Sequence, residues 1–280
     1  LADKPQLILY GPPGTGKTYL ALALGEQLRA AGGDFELVQF HPAYTYEDFF
    51  EGYRPTPGEA GLGFELVPGA LRTLAETARS NPDEPYLLII DEINRGNLPK
   101  VFGELYFLLE YRDHTVTLQY SREEFSLPPN LYVIGTMNTA DKSIALVDAA
   151  LRRRFYFQAM LPTEEPVSLV LRKWMETQER TDDAADLLDE LNRRIADSDF
   201  SIGPSYLMTP AEWLPQVWEH SIMPLLEEHY YGLGRDVRDE FGLEQLRKQL
   251  ALGKASGAAG DVANADADTD AAESPEPEPS

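Results

Sequence analysis

The sequence predicts an α/β fold: a parallel sheet flanked by helices, then a small all-helical domain, then a disordered acidic tail. Three observations carry that reading. Over residues 5–161 short apolar runs alternate with longer amphipathic stretches, as strands joined by helical crossovers do. Beyond Leu161-Pro162-Thr163 only helical periodicity remains. From Ala251 the chain is mostly Ala, Gly, Asp, Glu and Pro, with no aromatic residue and little to bury. The expected division is therefore 1–161, 162–250 and 251–280.

The elements follow in order. Leu7-Ile8-Leu9-Tyr10 is a short buried strand, followed by a Gly/Pro loop and a helix over 18–30. A second strand covers 35–40 and a helix 71–79. Tyr86-Leu87-Leu88-Ile89-Ile90 is apolar throughout, which suits a strand covered on both faces. A helix is expected from about 98 to 110, a hairpin over 116–127, a buried strand over 131–136 and a last strand over 155–161. The helical domain should hold helices near 164–178, 184–196, 211–230 and 236–250, with Trp174, Trp213 and Trp218 in its core. Between residues 40 and 55, Phe40, Tyr44, Tyr46, Phe49, Phe50 and Tyr53 read as packing for the sheet's edge in preference to a partner-facing loop.

Charge and composition narrow the functional classes. Twenty-four basic and 47 acidic residues give a net charge of −23 over 280 residues. The tail contributes seven acids and one lysine, so the remainder stays strongly acidic. Such a surface repels phosphate backbones, which argues against a protein that coats DNA or RNA. The excess of acids with only seven lysines suits a high-salt cytoplasm, where repulsion is screened. Without cysteine there is no disulfide, thiolate zinc site or cysteine nucleophile. His41, His114, His220 and His229 lack ligand spacing. No apolar run approaches the roughly 18 residues of a membrane span. No targeting segment is visible and the chain opens on Leu1, so it reads as a cytoplasmic protein or a fragment of one.

Gly11-Pro12-Pro13-Gly14-Thr15-Gly16-Lys17-Thr18 fits the P-loop pattern. Glycines let backbone N–H groups wrap the phosphates of a nucleotide, Lys17 brings a positive charge to them, and Thr18 can ligate Mg²⁺. By residue frequencies alone, roughly one chain of this length in a hundred would match. The apolar strand before the loop and the helix after it make chance a poor explanation. Downstream, the apolar strand ending in Asp91-Glu92 has the Walker B form. Asp91 suits the metal shell, and Glu92 suits the residue that orients or deprotonates an attacking water. Asn94 and Arg95 follow in the same loop. The next buried strand ends at Asn138, where an amide can contact the γ-phosphate or the lytic water.

Gly11–Thr18, Asp91-Glu92-Ile93-Asn94-Arg95, Met137-Asn138-Thr139-Ala140-Asp141-Lys142-Ser143 and Leu151-Arg152-Arg153-Arg154-Phe155 together resemble the McrB family, the motor subunits of methylcytosine-dependent restriction systems. The run from His41 to Pro55 resembles that family too, and the likeness covers roughly residues 5–250. The resemblance implies an AAA+ fold with a helical lid, hexameric rings, GTP preferred to ATP, Mg²⁺, and a nuclease subunit that stimulates hydrolysis. It assigns Asn138 and Asp141 to the family signature and places Asn94 by the catalytic water. Arg153 or Arg154 becomes the arginine finger that reaches a neighbouring subunit's nucleotide. Two departures stand out. Lys142 replaces the arginine often found there, losing a bidentate fork. The family's upstream DNA-reading domain does not precede the P-loop here, so DNA would be contacted indirectly or through another segment. Ile202-Gly203-Pro204-Ser205-Tyr206 looks like the second-sensor loop but lacks its arginine.

The expected activity is thus Mg²⁺-dependent hydrolysis of GTP or ATP by a ring-forming motor of a restriction complex. An ATP-driven protein-remodelling machine of the same superfamily is the alternative. A nucleotide-gated scaffold fits less well, since it needs neither Glu92 nor the arginines.

Overall fold

The computed structural model of the chain describes residues 4–58, 61–140 and 149–252. They form two compact units, one running up to Ser168 and including Ser198–Gly203, the other holding Leu169–Asp197 and the residues from Pro204 onward.

In chain order the first unit contains β1 (Gln6–Gly11), α1 (Lys17–Ala30), β2 (Asp34–Gln39), α2 (Tyr46–Phe49), β3 (Glu51–Gly58), β4 (Gly61–Pro68), α3 (Ala70–Ser80) and β5 (Tyr86–Asp91). It continues with α4 (Leu98–Phe102), α5 (Leu105–Leu108), β6 (Val116–Thr117), β7 (Glu124–Phe125), β8 (Leu131–Asn138), α6 (Ala149–Arg154) and β9 (Tyr156–Ala159). Five strands make one parallel sheet in the order β2-β5-β8-β1-β9. The apolar strands occupy its middle, while the edge strands β2 and β9 are more exposed. Alternate side chains feed two cores, as the period of two requires. Leu9, Leu87, Ile89 and Ile134 pack with Ala21 of α1 on one face. Ile8, Leu88, Ile90 and Val133 pack with Phe49, Leu71 and Phe102 on the other.

Three expectations change. The single helix expected over 98–110 is two short ones, because Gly103 (φ 50°) turns the chain out of helical geometry between α4 and α5. β3 and β4 pair as an antiparallel ribbon where no strand was expected. Pro55 and Pro57 argue against a strand in a sheet interior, but an isolated ribbon has only edges and tolerates them. Its root is held by the buried Glu51 carboxylate, which pairs with Arg72 and accepts from the backbone N–H groups of Tyr120 (3.2 Å) and Ser121 (3.0 Å). The aromatic segment largely packs as expected: Phe40, Tyr46, Phe49 and Phe50 are buried, whereas Tyr53, on the ribbon, is exposed.

The second unit comprises α7 (Val170–Thr177), α8 (Ala184–Ile195), α9 (Leu214–Val217), α10 (Met223–His229), α11 (Val237–Phe241) and a helix over 243–252. The helix expected over 211–230 changes pitch twice, with a 3₁₀ turn at Ala211–Trp213 and a π turn at Trp218–Ile222 just before Pro224, which has no N–H to continue the ladder. Trp218 is buried and its Nε1 donates to the Phe241 carbonyl (3.0 Å). Trp174 is half-buried. Trp213 is 59% exposed and does not join the core, a correction to the sequence reading.

Candidate functional site

The parallel register gathers the sequence-predicted residues at the carboxyl ends of four strands. Asn138 at the end of β8 lies opposite Gly11 at the end of β1, and Gln39 at the end of β2 lies opposite Asp91 at the end of β5. β8 separates the P-loop strand from the Asp91 strand, so Asn138 stands between the two halves of the site. Ligands of open α/β sheets bind at this edge.

Pro12, Pro13, Gly14, Thr15 and Gly16 form the loop between β1, which ends on Gly11, and α1. Gly14 (φ 79°) and Gly16 (φ 88°) take left-handed conformations that other residues avoid, which curls the loop's N–H groups into an anion-binding concavity. α1 starts directly after it with no acid in its first turn, so the helix's positive end is uncompensated. The Thr15 hydroxyl braces the loop by donating to the Pro12 carbonyl (3.1 Å). Lys17 is buried, and its ammonium donates to the carbonyls of Gly11 (2.9 Å) and Pro12 (2.7 Å). Burial pulls its pKa down to about 8, against the opposing pull of the Glu92 and Asp91 carboxylates.

Asp91 is held on three sides. Its Oδ1 accepts from the hydroxyls of Thr18 and Thr136, both at 2.7 Å, and its Oδ2 from the Gln39 side-chain amide (3.3 Å). Glu92 leaves the strand in a left-handed conformation (φ 54°, ψ 44°) rare for a non-glycine residue. Its N–H donates to Thr136 Oγ1 (3.1 Å), and its carboxylate pairs with Arg95 Nε (3.1 Å). Asn94 is buried; its Nδ2 reaches the Asn138 carbonyl (3.4 Å), while its Oδ1 has no hydrogen-bond partner among the described residues. Asn138 Oδ1 accepts from the Ala140 N–H (3.1 Å). Asp141 lies outside the described residues, as do Lys142 and Ser143.

The structure divides the arginine triplet. Arg153 is 72% exposed and its guanidinium meets Glu110 Oε1 (2.6 Å) at the surface. Arg154 is only 15% exposed: it pairs with Glu110 Oε2 (3.0 Å), donates to the Tyr106 carbonyl (3.0 Å) and lies over the Tyr106 ring.

Two residues escaped the sequence reading. Gln39 and Thr136 both bond Asp91; a lone hydroxyl in a buried strand was the available signal for Thr136. Gly203, in the loop that resembles a second sensor, belongs to the short return of the chain onto the first unit. A Cβ on it would stand 2.2 Å from the Gly14 carbonyl carbon and 2.5 Å from the Pro13 oxygen, so only glycine fits against the P-loop there. The Thr139 hydroxyl ties the same return to the sheet by donating to the Asp199 carbonyl (3.0 Å).

Residues 6–155 match the family model described as the AAA domain, dynein-related subfamily, which spans more than half of the chain. The chain belongs to that family. Residues 183–238 of this AAA protein match the McrB α-helical lid domain. It is 39% identical to the type IV methyl-directed restriction enzyme EcoKMcrB subunit of Escherichia coli K12, over 82% of this chain and 55% of that protein. It is 27% identical to the type II restriction enzyme BsuMI component YdiS of Bacillus subtilis 168, over 80% of this chain and 78% of that one. The chain thus spans about half the length of the E. coli relative. The McrB resemblance is borne out, as is the α/β AAA+ fold with a helical lid. The chain is a P-loop nucleoside triphosphatase.

The residues fit the groups this family handles. A P-loop cation needs one hydroxyl, one carboxylate and the substrate's phosphates, and Thr18 and Asp91 already meet at 2.7 Å. The orphaned Asn94 Oδ1 is an acceptor with room in its bonding for a water.

Proposed function

We propose that this AAA chain is the GTP-hydrolysing, Mg²⁺-dependent motor of a modification-dependent DNA restriction complex. It works in the cytoplasm as a hexameric ring with a nuclease subunit. The observation that carries the hydrolytic part is the convergence of Lys17, Thr18, Asp91, Glu92, Asn94 and Asn138 on one sheet edge. Lys17 and the loop N–H groups neutralise the β- and γ-phosphates. Thr18 and Asp91 hold the cation, which when bound draws charge from the phosphate oxygens. Glu92 accepts the proton of the attacking water, Asn94 Oδ1 fixes that water's other hydrogen, and the Asn138 amide faces the γ-phosphate. Arg153 of the neighbouring copy supplies a second positive charge, and Asp141 belongs to the same family signature as Asn138.

The restriction role rests on the likeness to the E. coli subunit; the preference for GTP rests on the McrB-like signature Met137-Asn138-Thr139-Ala140-Asp141. The acidic surface supports a division of labour in which a separate segment or subunit reads DNA. Turnover measured in parallel with GTP and ATP, with and without the nuclease subunit encoded beside it, tests this reading. GTP turnover at least tenfold above ATP and stimulated by the partner is expected. Preference for ATP without stimulation would favour a protein-remodelling machine.

A further inference from the structure

Thr136 bonds the two acidic residues of the site at once. Its hydroxyl hydrogen goes to Asp91 Oδ1 (2.7 Å) and its oxygen receives the Glu92 N–H (3.1 Å), so one buried hydroxyl donates to the last residue of β5 and accepts from the residue after it. The register explains how it gets there. β5 pairs with β8 only as far as Ile90 opposite Gly135, so regular pairing between these strands stops just where Asp91 and Glu92 begin. The Glu92 N–H would be orphaned at that point, and the left-handed turn of Glu92 has no glycine to make it easy. The Thr136 side chain replaces the ladder. Asn138 follows two residues later on the same strand and therefore on the same face.

We propose that Thr136 is a positioning residue for hydrolysis: it sets the backbone direction of Glu92 and the carboxylate plane of Asp91, and so links the Asn138 strand to both. This rests on the reading of Asp91 and Glu92 given above. Asp91 Oδ1 has two hydroxyl donors, and Thr18 is the one a cation would claim. Thr136 is then the donor that keeps Oδ1 oriented when Thr18 turns away. A threonine is needed for its hydroxyl and not for its methyl group, because serine can make both bonds and isosteric valine neither.

The test compares Thr136→Val, Thr136→Ser, Glu92→Gln and the double variant Thr136→Val/Glu92→Gln in the full chain. Binding of a fluorescent GTP analogue is measured with and without Mg²⁺, steady-state turnover with the preferred nucleotide, and thermal unfolding. Thr136→Val is expected to lower kcat by ten- to a hundredfold with KM and metal-free affinity within threefold, and to reduce the gain in affinity that Mg²⁺ confers. Thr136→Ser should restore turnover to within threefold of wild type. In the Glu92→Gln background the valine should cost little more, since the group it positions is gone. Wild-type kcat in Thr136→Val, alongside an inactive Glu92→Gln, overturns the role of Thr136 and leaves the site reading intact. Normal turnover by Glu92→Gln overturns the site reading itself. If Thr136→Val fails to fold, Thr136→Ser decides: loss of kcat in that folded variant contradicts the assignment to the hydroxyl.

Discussion

The P-loop edge of the sheet and the arginine end of α6 are built on opposite principles. At the sheet edge, charged groups are drawn inward and bonded to one another: Lys17 is buried against two carbonyls, and Asp91 has three donors. At α6, adjacent arginines share a single carboxylate, Glu110, and part company. Arg154 is tucked against Tyr106, whereas Arg153 faces solvent. The first region brings the Lys17 ammonium together with the Asp91 and Glu92 carboxylates. The second presents Arg153 at the surface, where Glu110 is its ion-pair partner. Charge buried at a strand end suits chemistry in cis, and under the function proposed above the exposed Arg153 serves a neighbouring copy.

That contrast can be broken at either side, and the largest effect belongs to the P-loop. Lys17→Ala removes the cation that meets the phosphates, and nucleotide affinity should fall by at least a hundredfold in equilibrium binding. Loss of turnover with unchanged affinity would show that Lys17 is not the phosphate ligand.

The arginines sharpen the comparison, because sequence alone treats them as equals. A trans finger is worth roughly 10³–10⁵ in rate in other nucleotidases. Arg153→Ala should nearly silence hydrolysis while leaving nucleotide binding and the melting temperature unchanged. Arg154→Ala should lower the melting temperature by several degrees, as the loss of ~1–3 kcal/mol from a partly buried charged hydrogen bond does. The reverse pattern, a stable inactive Arg154 variant and an active Arg153 variant, would exchange their roles.

The smallest effect is a pH dependence with opposite signs for stability and for binding. With its pKa near 8, Lys17 is charged below that pH and neutral above it in the free protein. Between about 8 and the ordinary lysine value the unfolded chain binds more protons, so the contribution of Lys17 to stability rises with pH. Nucleotide phosphates favour the ammonium, so binding at pH 9 should take up protons and weaken relative to pH 7. Calorimetry in two buffers of different ionisation enthalpy measures that uptake directly. No uptake at pH 9 would mean that Lys17 keeps its ordinary pKa.

What could be read from the sequence follows the same division. The P-loop and Asp91-Glu92 are contiguous and carry their context with them: an apolar strand before, a helix or turn after. Thr136 and Gln39 reach Asp91 only through strand register across 45 and 52 residues, which no local pattern encodes. Gly203 depends on the chain returning to the first unit after α8. The β3–β4 ribbon was hidden by Pro55, Pro57, Gly58, Gly61 and Gly63, which mark turns in most settings and here sit in strands with free edges. Trp213 was misplaced because a 3₁₀ turn rotates it off the face that a continuous helix would bury.

The claim that the two regions are halves of one site is tested most directly by mixing inactive variants. Arg153→Ala keeps an intact pocket without a finger, and Glu92→Gln keeps an intact finger beside a pocket that cannot deprotonate water. Neither alone forms an interface with both parts, but a mixed assembly does. Combined in equal amounts and shown by light scattering to co-assemble, they should recover a substantial fraction of wild-type hydrolysis. Mixtures that co-assemble and stay as inactive as their parents would contradict the account.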